Sequence, residues 1–193
     1  MSTGASDAAM RQKPAGASGL PAGQGRAARG IAIFAAGCFW GVQFYFDEVP
    51  GVVETEVGYI GGHKDDPTYW DVASRKTGHA EAVKITFDPA KVSYDTLLMQ
   101  FFRMHDPTQL NRQGPDVGDE YRSAIFYLDE AQKKAAQKMI DEYNKYRTDA
   151  KVVTTVEKAG TFWPAEEEHQ KFTQKTGIGM CHIPYAPVEA TSG

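Results

Sequence analysis

Ile31-Ala32-Ile33-Phe34-Ala35-Ala36 is an unbroken apolar run between Gly30 and Gly37. A run of that length, bounded by glycines, predicts a short buried strand. The pattern then changes period. Cys38, Val42, Phe46 and Val49 recur at helical spacing, so a helix is expected over about 39–48. Val52 to Tyr59 reads as a second strand, and 61–67 as a loop. A short helix is expected over 69–75. His79 to Phe87 alternates cleanly: Val83, Ile85 and Phe87 share one face, and Ala82, Lys84, Thr86 and Asp88 the other. Ser93 is placed to cap a helix reaching Met104, with Leu97, Leu98 and Phe101 inward. Asp106-Pro107 ends that helix, and 107–119 follows as a long polar loop. Tyr121 to Leu128 is a further strand. Asp129 caps a helix to about Tyr146 that turns Ala135, Met139, Ile140 and Tyr143 inward. Val152 to Glu157 is the last strand, and Pro164 opens a short helix to about Gln174. The order predicts an α/β (α+β) fold, a single domain with one mixed sheet sandwiched with helices.

Composition divides the chain differently. Residues 1–30 are rich in Gly, Ala and Ser, and Met1, Met10 and Leu20 are their only large apolar residues. A disordered N-terminal tail is expected there. The folded domain is expected over 31–176, and a flexible C-terminal tail over 177–193. The first thirty residues hold four basic side chains and one acid. Subtracting them from totals of 21 and 25 leaves 17 against 24, a net charge of −7. No basic field remains, so nucleic acid is not an expected partner. No stretch has the length and apolarity of a membrane span or the core of a signal peptide, which points to the cytoplasm. Two cysteines 143 residues apart do not make a secreted disulfide framework. The histidines at 63, 79, 105, 169 and 182 show no metal-ligand spacing, so no metal or other cofactor is expected.

Two residues stand out chemically. Cys38 falls at a strand-to-helix junction, where free backbone N–H groups and the helix dipole favour a thiolate. Phe39 and Trp40 follow it and suggest the wall of an apolar pocket. The alternative is that Cys38 merely begins the helix's core stripe. Glu81 falls on the apolar face of the third strand. A carboxyl pointing into a core holds its proton, as a general acid needs. The alternative is an ion pair with Arg75 or Arg122. Tyr59, Tyr69, Trp70 and Tyr121 lie near strand ends as polar-tipped aromatics, and Asp116 sits in a Gly/Pro loop as a turn residue or more. Cys181 lies in a Gly/Pro-rich tail, free to swing onto another sulfur or to remain a spectator.

The motifs Gly37-Cys38-Phe39-Trp40-Gly41, Gly61-Gly62-His63, Pro67-Thr68-Tyr69 and Thr77-Gly78-His79-Ala80-Glu81 resemble those of class A peptide methionine sulfoxide reductases. So do His105-Asp106-Pro107-Thr108-Gln109, Tyr121-Arg122-Ser123 and Pro164-Ala165-Glu166 with His169-Gln170. The resemblance spans roughly residues 31–172. It implies Cys38 as nucleophile, Glu81 as the acid that protonates the sulfoxide oxygen, and Tyr69 and Tyr121 as hydroxyl donors to it. It implies Phe39 and Trp40 as the pocket for the S-methyl group and Asp116 as a substrate contact. The implied substrate is methionine-S-sulfoxide, free or in peptides and proteins, and the implied reductant is thioredoxin. Many members carry two recycling cysteines near the C-terminus, where this chain has one. Cys181 is then the candidate resolving cysteine, through a Cys38–Cys181 disulfide. A monomer is expected. The rival readings are a thiol hydrolase using His79 or His105 as base, a thiol peroxidase, and a binding module without catalysis.

Overall fold

A computed structural model describes residues 28–183. Of the two expected tails, 1–27 and 184–193 lie outside the described residues. The elements are β1 (Gly30–Ala36), α1 (Phe39–Asp47), β2 (Val52–Ile60), α2 (Tyr69–Ala73), β3 (Ala80–Phe87) and α3 (Tyr94–Met104). Then come β4 (Arg112–Gln113), β5 (Asp116–Val117), a 3-10 turn (Asp119–Tyr121), β6 (Ser123–Tyr127) and α4 (Glu130–Tyr146). β7 (Thr155–Lys158), β8 (Trp163–Pro164) and α5 (Phe172–Thr176) complete the chain.

Six strands form one sheet in the order β7-β6-β1-β3-β2-β8. Only the β6–β7 pair is parallel; the other pairs are antiparallel, so the sheet is mixed as expected. β1 lies near the middle because it is apolar on both faces. Ala32, Phe34 and Ala36 join the main core with α1, α3 and α4. Ile33 and Ala35 point the other way, into a smaller cluster with Ile60, Ala82 and Phe126. Three helices thus cover one face. Ser93 and Asp129 cap α3 and α4 through bonds from Thr96 N–H and Gln132 N–H, at 3.0 and 2.8 Å.

Four segments differ from the sequence reading. The polar loop 107–119 contains the β4–β5 hairpin, with Gln113 opposite Asp116. Tyr121 closes the 3-10 turn and does not begin β6. The strand expected over 152–157 starts at Thr155. Pro164 opens no helix: it pairs with Gly58 in edge strand β8, where a residue without an N–H is tolerated. Gly58 has no Cβ to strike the Trp163 carbonyl, which lets β8 approach β2 closely. The pairing continues past Pro164 through Ala165 N–H to the Val57 carbonyl, at 2.9 Å. The Gln170 amide then bonds both the N–H and the carbonyl of Val57, at 3.0 and 2.9 Å, as a further strand would.

Candidate active site

Cys38 is the N-cap of α1 and is 7% exposed. Gly37 delivers it at φ +92°, in the left-handed region, with no room for a side chain: a Cβ there would stand 2.7 Å from Gln113 and His182. The first N–H groups of a helix have no partners within it. Here Phe39 N–H donates to Glu81 Oε2 at 3.0 Å, while the Cys38 side chain makes no capping bond and the nearby Trp40 N–H only favours its ionised form. The first amide of the helix thereby holds the carboxyl beside the residue that carries the thiol.

Glu81 is 3% exposed and lies on the same face of β3 as Val83, Ile85 and Phe87, as the alternation predicts. Burial pushes its pKa up to about 8. The Phe39 N–H opposes this, while Glu120, Asp116 and Cys181 reinforce it. The arginines weighed as partners go elsewhere. Arg75 reaches Glu120 at 3.4 Å, and Arg122 donates to the Asp119 carbonyl at 3.1 Å.

The expectation that Cys38 rests as a thiolate needs correction. Its thiol is pushed up, first by a hydrogen bond with Cys181, then by burial and by the charge of Glu81. The Trp40 N–H pulls the other way and loses. The same bond lowers Cys181. Of two thiols in contact, the outer one ionises more readily and the inner one keeps its proton. Both cysteines are free thiols. Cys181 adopts φ +47°, and its side chain also hydrogen-bonds Asp116. Asp116 Oδ2 is buried and has no hydrogen-bond partner. His182 fills the space between Gly37 and Gly114, which fastens the C-terminal segment beside Cys38.

Tyr69 and Tyr121 complete the polar side. Burial raises both hydroxyls, and Glu81 is the next cause for each. Tyr69 opens α2, whose N-cap Thr68 forms a reciprocal capping box with Asp71. The Tyr69 N–H also donates to Glu166 at 2.8 Å, and the other Glu166 oxygen accepts from the Tyr59 hydroxyl at 2.8 Å.

The apolar side is an aromatic cluster centred on His169. Trp40 donates its indole N–H to His169 Nδ1 at 3.1 Å. The His169 ring stacks on Tyr69 at 4.5 Å and on Trp40 at 5.7 Å, while Phe172 stacks on Trp40 at 3.9 Å. Phe39 lies 5.7 Å from His169 and 5.8 Å from Tyr59. Trp70, by contrast, is 79% exposed and belongs to the surface.

The structure thus brings together Cys38, Phe39, Trp40, Tyr69, Glu81, Asp116, Tyr121 and Cys181. Sequence reasoning gave no role to Glu120, Glu166, His169, Phe172 or His182. Glu166 and His169 did lie in a motif that carried the resemblance, three residues apart. Glu120 left no signal, because a 3-10 turn has no long period to read. His79 and His105 are committed elsewhere. His79 accepts from Gly62 N–H at 3.0 Å and bonds the Lys64 carbonyl at 2.7 Å. His105 bonds the Phe101 carbonyl and the Ser123 hydroxyl, at 2.7 and 2.8 Å.

The chain is 51% identical over 155 residues to the peptide methionine sulfoxide reductase MsrA of Methanothermobacter thermautotrophicus, covering 79% of this chain and 90% of that one. It superimposes on methionine sulfoxide reductase A of Corynebacterium diphtheriae with a TM-score of 0.75 and 32% identity, covering 83% and 85% of the two chains. Reduced Mxr1 from Saccharomyces cerevisiae gives 0.74 and 32%, covering 83% and 94%. A family model for peptide methionine sulfoxide reductase matches residues 30–192, and the chain belongs to that family, an oxidoreductase family that reduces methionine sulfoxide.

Proposed function

We propose that this chain reduces the S epimer of methionine sulfoxide by attack of Cys38 on sulfur, with Glu81 as the acid and Cys181 as the resolving thiol. The observation that carries the reading is a buried thiol at the N-cap of α1 beside a buried carboxyl held by the next N–H of that helix. With a pKa of about 8, Glu81 is protonated at neutral pH. A sulfoxide sulfur becomes electrophilic only when its oxygen is protonated or strongly hydrogen-bonded, so an acid and two phenols suit that oxygen. The methyl group lies against Phe39 and Trp40. Opposed apolar and polar walls fix one handedness at sulfur, since reductases of this kind treat each epimer separately.

The steps balance. The Cys38 sulfur bonds to the sulfoxide sulfur while Glu81 gives its proton to the oxygen. The Cys38 proton passes to the Glu81 carboxylate and restores the acid. The hydroxyl ends on Cys38 as a sulfenic acid, and methionine leaves. Entry of substrate displaces Cys181, which removes the largest cause that holds the Cys38 thiol up. Cys181 then attacks the sulfenic sulfur, water leaves, and a disulfide forms. A dithiol such as thioredoxin reduces it. In support, the yeast relative Mxr1 has been crystallised in complex with Trx2.

The hydrolase reading requires a histidine base beside Cys38, and both proposed candidates have their ring nitrogens bonded elsewhere. Incubating the reduced protein with each epimer, without added reductant, tests the proposal by intact mass. One methionine per chain from the S epimer, with loss of two hydrogens, is expected. A gain of one oxygen would retire Cys181 as resolver, and no methionine from the S epimer would overturn the reading.

A further inference from the structure

We propose that reduced Cys38 and Cys181, with Asp116, form a binding site for a thiophilic divalent cation of the zinc class. One ligand atom from each of the three residues lies within 4.8 Å of the other two. They come from the N-cap of α1, strand β5 and the C-terminal segment, so no spacing along the sequence announces the set. Two thiols and a carboxylate are the donors that zinc selects, and magnesium or calcium would refuse the sulfurs.

Two further observations point to a ligand. Asp116 Oδ2 is buried without a hydrogen-bond partner, so one carboxylate oxygen is unspent beside the sulfurs. Cys181 is exposed and Asp116 half-buried, so the cluster opens to solvent while Cys38 stays buried. Ligand atoms around a tetrahedral zinc stand roughly 3.5–4 Å apart, given bonds of about 2.3 Å to sulfur and about 2.1 Å to oxygen. Cation binding would draw the three atoms, now within 4.8 Å of one another, to that separation. The fourth position is left for water.

Binding moves no electrons. The cation displaces the thiol protons into solvent and leaves two thiolates and one carboxylate around it. The occupied site has no free nucleophile and no free resolving thiol. Zinc is therefore a reversible block on the reduced enzyme alone, because an oxidised Cys38–Cys181 pair has no thiolates to offer. This consequence rests on the proposed role of Cys38; the binding itself does not.

The test uses untagged, fully reduced protein titrated anaerobically with zinc in buffers of different protonation enthalpy, and with cobalt as a spectroscopic substitute. One zinc per chain is expected, with proton release and a thiolate-to-cobalt charge-transfer band. Cys38→Ser and Cys181→Ser should each abolish the band, and Asp116→Asn should weaken zinc at least tenfold. Wild-type protein with both thiols carbamidomethylated should bind none, a control that requires no variant to fold and no sulfoxide chemistry. Failure of the reduced protein to bind would overturn the site. So would binding that survives Cys181→Ser or alkylation, or that is indifferent to Asp116→Asn. Reductase activity restored by a chelator would add the functional consequence, and its absence would leave zinc bound without the block proposed here and overturn that part.

Discussion

Glu81 and Cys38 share a helix end, and Glu81 impedes the ionisation of Cys38. A charge on Glu81 raises the thiol, and the surrounding acids raise Glu81 in turn. In the proposed reaction, the proton that chemistry needs is therefore stored at residue 81. Two expectations belong at this scale. Glu81→Gln keeps shape and loses the proton, so kcat should fall about 10²–10⁴-fold with KM little changed. Wild-type kcat should decline as pH rises through about 8, the value to which Glu81 is raised, and Glu81→Gln should lack that limb. Steady-state profiles of both proteins check each point; an unchanged kcat in the variant would remove Glu81 as the acid. For Cys181→Ser, one rapid turnover without recycling by thioredoxin is expected, read as burst amplitude against steady rate. Cys38 and Glu81 were legible in the sequence because each stands at a telling position: a thiol at a strand-to-helix junction, and an acid on an apolar strand face. The protonation state of Cys38 was not legible, since the decisive neighbour lies 143 residues away.

At the scale of elements, the long periods were readable and the short ones were not. β1, α1, β2, β3, α3 and α4 follow directly from alternation, helical stripes and caps. The two-residue strands β4, β5 and β8 have no period and exist through tertiary pairing. β8 nevertheless matters for the site, because it leads into Glu166 and His169. A Gly58→Ala change tests that dependence. The added methyl would meet the Trp163 carbonyl, a backbone atom that must shift. A loss of about 1–3 kcal/mol is expected in urea unfolding. KM should also rise as His169 loosens against Trp40 and Tyr69. A loss of stability with kinetics unchanged would show that β8 does not position the aromatic wall.

The whole molecule carries the cost of its acid. Glu81 binds its proton more tightly folded, with a pKa of about 8 against 4.5. Below about pH 4.5 both states are protonated and nothing is lost. Between those values the unfolded chain sheds the proton and the folded one keeps it. Stability from this residue therefore falls as pH rises, by at most about 1.4 kcal/mol per unit, and levels off above about 8. The difference in unfolding free energy between wild type and Glu81→Gln should shift over that window in favour of the variant. A pH-independent difference would mean that Glu81 is ionised in the fold. Among the described residues no helix is long and apolar enough to cross a membrane.

The position of β1 in the sheet also sets a timetable. Its β3 partner Val83 lies opposite Phe34, and its other edge waits for β6, where Ala36 pairs with Ser123, 87 residues further along the chain. At a synthesis rate of about 5–20 residues per second, that edge stays open on the ribosome for roughly 4–17 s. Through that interval a strand apolar on both faces is a template for wrong pairing. The placement that sets Cys38 at the end of a central strand thus leaves that strand half-paired in the nascent chain until β6 is made.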